Sequence, residues 1–266
     1  PQGIMKKYYF ISAITFTAIV LVCFIHVHSQ NMPSAFSTVS IKNFTPRIWA
    51  EDFSLYMITS EQEILLIATP YQTILSTKNN NNRHAVLIKA GKNKDYAQLP
   101  LNKDIKDTRL LQLTHPLVQS YAKKIKASSN IVNEVEQLIY TTIETKTEGI
   151  PIIPAPVILE TKKGDCTEHA VAAIALLRTL KIPARAVVGM IAAREYAGRK
   201  NVFVFHMWAE AYYNNTWILV DATRPGAKKP NLYIALTYHS LETEMPLEFL
   251  EAMAAIQNLT VTYLSE

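Results

Sequence analysis

The chain has 266 residues, 49% hydrophobic and 18% charged, with a formal net charge of +5. That suffices for one large domain or two small ones and is too apolar for a disordered chain. Lys78, Arg83, Lys89, Lys92 and Lys94, then Lys123, Lys124 and Lys126, bias the middle towards basic. They lack the tight stripe interleaved with aromatics that marks a nucleic-acid interface, so they read as a solvated surface and no nucleic-acid partner is expected.

Lys6 and Lys7 precede an uncharged run of 18 residues, Tyr8 to Ile25 (YYFISAITFTAIVLVCFI). The run predicts an apolar helix, long for the core of a signal peptide and just long enough to span a bilayer. Residues 1–30 are therefore expected to be a signal peptide or a membrane anchor, with Met5 as the natural start of such an element. Val27-His28-Ser29 is a poor cleavage site, and Val22 is too bulky for lipidation at Cys23. Under both alternatives the two lysines favour export of the chain beyond residue 30. The expected location is extracytoplasmic, in the periplasm or at the cell surface, with the membrane as a partner if the segment is uncleaved. The other cysteine, Cys166, is then a lone thiol in an oxidising compartment.

Asn31 to Ser40 reads as a linker. FSLYMIT (53–59), EILLIATPY (63–71) and HAVLIKA (84–90) predict strands, and the four asparagines at 79–82 predict a turn. Residues 31–106 are thus expected to form a β-rich N-terminal domain. Leu101 to Thr114 reads as a connector. His115 to Lys126 and Asn130 to Thr147 predict helices, the second with Val132, Val135, Leu138, Ile139 and Thr142 on one face and Asn130 as N-cap. Gly149, Pro151, Pro154 and Pro156 stop it and predict an extended segment over Ile150 to Leu159.

Gly164-Asp165-Cys166-Thr167-Glu168 then opens a helix. Asp165 caps it and Glu168 reaches back, a capping-box spacing. Pro183 ends this helix, and ARAVVGMI (184–191) predicts a buried strand. A polar loop is expected over Ala192 to Asn201. VFVFHMWAEAYY and TWILVDAT flank Asn214-Asn215 and predict a hairpin. A two-residue turn sets Tyr213 opposite Thr216 and Trp208 opposite Asp221. Phe205, Met207, Ala209, Ile218, Val220 and Ala222 then share an apolar core face. His206, Trp208, Glu210 and Asp221 share the other, with His206 and Asp221 diagonal neighbours. A strand over Leu232 to Tyr238, a helix over Pro246 to Ile256 and a strand over Leu259 to Leu264 close the chain.

This spacing carries a chemistry. A cysteine in the first turn of a helix feels its positive end, and the free N–H groups there also suit an oxyanion. A histidine within reach forms the ion pair and protonates the leaving group. A carboxylate on the other ring nitrogen fixes the tautomer. Cys166, His206 and Asp221 supply these roles. His169 makes Cys-x-x-His with Cys166, but no second pair has ligand spacing and no acidic cluster has calcium-loop spacing, so no metal is expected. No cofactor is expected either. Trp208 walls the cleft, supports His206 or packs in the core; Glu210 supports the site or lies on the surface. Arg178 and Arg185 bind a substrate carboxylate or pair within the fold.

GDCTEHA, IPARAVVG and HMWAEAYYNNTWILVDAT together resemble the transglutaminase-like superfamily of papain-like fold, in its bacterial form. The resemblance runs from about Asp107 to the C-terminus, where YIALTYHSL and the last helix and strand also fit. It implies an α+β fold, a papain-like core over 107–266 that follows the β-rich region and the apolar helix. It implies a Cys166–His206–Asp221 triad attacking the amide carbonyl of a protein or peptide, through a thioester that water or an amine resolves. Bacterial relatives are mostly assigned as proteases or amidases. The alternatives are a catalytically silent binding module at the cell envelope, and an acyltransferase with a thioester cofactor like the arylamine N-acetyltransferases, whose sequence context fits less well.

Overall fold

The computed structural model describes residues 38–64, 66–80, 83–126, 130–144, 152–226, 228–239, 241–242, 251 and 254–265. The apolar helix expected over Tyr8 to Ile25 lies outside them. Thr38–Lys42 forms β1 and Phe53–Ser60 forms β2. In β2 every second residue from Ser54 to Ser60 is buried, the period of a strand with one inward face. Among the described residues of 63–71, the expected strand does not form. Pro70 and Tyr71 instead make a tight turn closed by reciprocal main-chain bonds between Thr69 and Gln72. Proline has no N–H for a ladder, and the next strand, β3, starts at Gln72 and runs to Asn80. It pairs with β4, Arg83–Gly91.

Four helices come next among the described residues. α1 is Pro116–Ala122, with the His115 side chain accepting from Leu117 N as its cap, and α2 is Ile131–Thr142. α3, Ala155–Thr161, occupies much of the segment expected to be extended. Pro156 sits in its first turn, where a missing N–H costs nothing. α4, Cys166–Thr179, is buried on almost all sides and packs against α1, α2, α3 and the sheet. Its run of alanines permits that close approach.

β5, Ala184–Tyr196, and β6, Arg199–Tyr213, form a long hairpin. Most of the polar loop expected over 192–201 is strand. The chain reverses at Ala197-Gly198, both with positive φ, and Glu195 faces Lys200 across the ladder. β7, Thr216–Val220, returns through Asn214-Asn215, with φ of 51° and 60°, in the register read from the sequence: Tyr213 opposite Thr216, Ala209 opposite Val220. β8 is Tyr233–His239 and β9 is Thr260–Leu264. Of the helix expected over 246–256, residues 251 and 254–256 are helical, and the others lie outside the described residues. No helix among the described residues is long and apolar enough to cross a membrane.

The strands make one sheet in the order β3-β4-β2-β9-β1-β6-β5-β8, with β7 also on β6. Strands from both sides of residue 106 are thus interleaved, and Thr38–Glu266 form one compact unit. The two ends of the order meet at Gln72 of β3: its amide donates to Ala235 O at 2.8 Å and accepts from Ala235 N at 2.9 Å. The sheet therefore curls, and both faces of the β6–β7 hairpin are covered. His206, Trp208, Glu210 and Asp221, expected opposite the core face, are all buried. One edge of β6 pairs with β5. The other pairs with β1 at Val202–Val204 and with β7 at Ala209–Tyr213. Between these, residues 205–208 have no strand partner on that edge among the described residues, and His206 lies in that window.

Candidate active site

The start of α4 is built by its cap. Asp165 Oδ1 accepts from Thr167 N at 2.9 Å, and Glu168 Oε2 accepts from Asp165 N at 2.8 Å. Gly164 is needed for this box to close, since a Cβ there would lie 2.2 Å from the Cβ of Glu168. Burial, then the neighbouring Asp165, push the Glu168 carboxyl up to about 8. Cys166 is the first residue of the helix and is half-buried. Three residues on, His169 Nδ1–H donates to Asp165 O at 2.6 Å, so that nitrogen serves the helix start. No group of three or more His, Cys, Asp or Glu among the described residues is placed to hold a metal ion.

His206 stands opposite Gly189 of β5. Its Nε2–H donates to Asp221 Oδ2 at 2.8 Å. Nδ1 is then the ring nitrogen left to face Cys166, whose thiol acts on the imidazole. Asp221 follows directly on β7 and is 1% exposed. Its Oδ2 also accepts from the Tyr233 hydroxyl at 2.8 Å, and its Oδ1 from Thr223 N and Oγ1 at 3.0 and 2.6 Å. Its own N–H donates to Glu136 Oε1 at 2.6 Å. Burial alone would lower the His206 imidazolium, but the charge and hydrogen bond of Asp221, with a smaller part from Cys166, raise it to about 10. Burial likewise opposes the Asp221 charge, yet His206, Thr223 and Tyr233 hold that carboxyl well below the usual range. At neutral pH the pair is an imidazolium and a carboxylate. Of the three residues expected to act together, His206 and Asp221 are hydrogen-bonded, and Cys166 lies near enough to the ring to act on it.

Residues 112–222, which include all three, match the transglutaminase-like superfamily. This matched region is similar to a transglutaminase-like core. Solved structures resembling it include a protein from Cytophaga hutchinsonii provisionally assigned as a cysteine protease, 18% identical, at a TM-score of 0.48 over 86% of this chain and 85% of that one. Another is the periplasmic domain of TgpA from Pseudomonas aeruginosa, 17% identical, at a TM-score of 0.40 over 72% of this chain and 86% of that one. No curated protein matches the chain.

Within the matched region, Trp208 lies against His206, the ring planes 20° apart and the centroids 6.1 Å, and meets Tyr233 edge-on at 5.2 Å. At 3% exposure it backs the histidine rather than walling an open cleft. Gly189 makes the room: a Cβ there would lie 2.9 Å from the Trp208 ring and 2.1 Å from Ile234 O. Glu210 is two residues farther along β6 and serves the interior. Arg185 donates to it at 2.9 and 2.8 Å, reaches Tyr96 and Gln98, and lies between Trp217 and Tyr238 at 3.9 and 4.0 Å from their centroids. Burial pushes the Glu210 carboxyl up to about 7, against the pull of Arg185. Arg178 donates to Ala184 O and Lys106 O, so both arginines pair within the fold. A depression of about 660 Å³ between Asp107, Gln112, His115 and Glu242 lies by Arg178. That is the far end of α4 from Cys166, about 18 Å along the helix axis, and so away from the thiol.

Sequence reasoning passed over Glu136, Thr223 and Tyr233. Glu136 left a signal, since it falls on the same stripe as Val132, Val135 and Ile139, all buried. An acid in an apolar stripe needs a buried partner.

Proposed function

We propose that the protein is an exported or membrane-anchored enzyme that opens amide bonds of proteins or peptides, glutamine amides included, with Cys166 as nucleophile. The observation that supports this most is the buried His206–Asp221 pair, with the Cys166 thiol near enough to act on the imidazole. Cys166 Sγ, its proton on His206, adds to the amide carbon. The oxygen takes the negative charge, which the positive N-terminal end of α4 stabilises. The C–N bond breaks as His206 gives its proton to the leaving nitrogen, and a thioester remains on Cys166. His206 then takes a proton from water or an amine and is again an imidazolium, that nucleophile adds to the thioester carbon, and the adduct collapses to product and expels the thiolate. Water gives hydrolysis and an amine gives transamidation. Asp221 keeps the imidazolium oriented throughout. Export rests on Lys6, Lys7 and the apolar run after them.

The test is turnover of a cell-envelope peptide library, with released ammonia or new amino termini as the readout. Wild type is expected to act, and Cys166→Ala is expected to lose all activity at an unchanged melting temperature. Equal turnover by both would sink the proposal, and no turnover by either would favour a silent module. Acylation by acetyl coenzyme A but not by amides would favour an N-acetyltransferase.

A further inference from the structure

The geometry points to Glu136 as a positioning residue that aims Asp221 at His206 by holding the Asp221 main chain, an inference that rests on the reading of Cys166 as nucleophile and His206 as its base. The last pair of the β6–β7 ladder is Ala209 with Val220. The N–H of Asp221 is therefore the first beyond the ladder, and a buried N–H needs an acceptor. Helix α2 supplies it: Glu136 Oε1 lies 2.6 Å from Asp221 N. Glu136 is 1% exposed, on the inward stripe of its helix. Lys228, beyond Asp221 in the chain, bonds both of its oxygens, at 2.5 and 2.6 Å. One carboxylate thus ties α2, the end of β7 and the loop after it.

Asp221 is consequently held twice. Glu136 fixes its main chain, and Thr223 and Tyr233 fix its carboxylate. Only a narrow range of directions then remains for the bond to His206 Nε2. Stability alone does not account for this acid, because a buried ion pair gains little over apolar side chains of equal volume. Lys228 and Asp221 act on Glu136, and the Glu136 charge acts on Tyr233 as well. Burial raises its carboxyl and Lys228 opposes the rise.

The test is the rate at which iodoacetamide alkylates Cys166 in the full chain, mapped by peptide mass and compared at about pH 6 and about pH 9. The wild-type ratio of the two rates is expected to lie well above that of free cysteine. Glu136→Ala is expected to lower the ratio about tenfold, and Glu136→Gln, which keeps an acceptor, to stay within about twofold of wild type. A merely structural role would change the melting temperature and leave the ratio alone. If Glu136→Ala does not fold, Glu136→Met fills the volume without an acceptor and takes its place. An unchanged ratio in the folded variant overturns the inference and leaves the nucleophile reading standing. A glutamine variant as impaired as the alanine one also overturns it, because the acceptor would then not matter. A wild-type ratio equal to that of free cysteine overturns the nucleophile reading and the inference with it.

Discussion

His206 and Asp221 give the site its pH behaviour. The imidazolium is raised from 6.5 to about 10, so its contribution to stability is complete below about 6.5 and is lost as pH rises towards about 10. Asp221 is depressed, so its contribution is present above the ordinary carboxylate range and is lost as pH falls through its folded value. Glu168 and Glu210, raised to about 8 and about 7, also reduce stability as pH rises through the range below these values. The share of His206 is therefore read as a difference. The urea midpoint of wild type should fall towards that of His206→Gln between about pH 6.5 and about pH 10. A gap that stays constant or widens would contradict the assigned pair. At this scale the sequence was informative where residue type is tied to chemistry: the closeness of His206 to Asp221 and the place of Cys166 at the start of a helix were legible. Tyr233 and Thr223 were not, because their role is only to donate to a carboxylate that the fold brings near.

The elements that carry the site differ in how openly they announce themselves. The β6–β7 hairpin was readable to its register, since Asn214-Asn215 accept the positive φ that a two-residue turn demands. The cap of α4 was readable from Gly164 to Glu168, and its role is open to mutation. Gly164→Ala places a Cβ 2.2 Å from that of Glu168, which forces the capping box open. It should cost about 1–3 kcal/mol in urea unfolding and slow alkylation of Cys166, whose place is set by that cap. Stability and labelling both unchanged would mean that the box does not position the thiol. Other elements were misread for local reasons. Pro156 suggested an extended chain but fits the first turn of α3, and the charged run over 192–201 hid a ladder in which Glu195 meets Lys200.

The whole molecule is where sequence reading fell short. Its β-rich first part was legible as strands but not as a topology. β1 joins β6 and β9, and β2 pairs with β9, partners separated by more than half the chain, which no local pattern encodes. For the same reason residues 31–106 read as a separate domain, whereas Tyr71 bonds the main chain of Trp217 and Leu219 and Gln72 bonds that of Ala235. These contacts brace β7, the strand that delivers Asp221. The stretch that holds Tyr71 and Gln72 is thus a structural support of the candidate site, and the assay protein must include it. The central claim is that this assembled site forms a thioester, and the most direct measurement is the intact mass of the full chain quenched in acid during turnover of a peptide library. The account predicts a hydroxylamine-sensitive acyl adduct on Cys166, absent in Cys166→Ala and greatly reduced in His206→Gln. An adduct that maps to another residue, or that forms equally without His206, would contradict it.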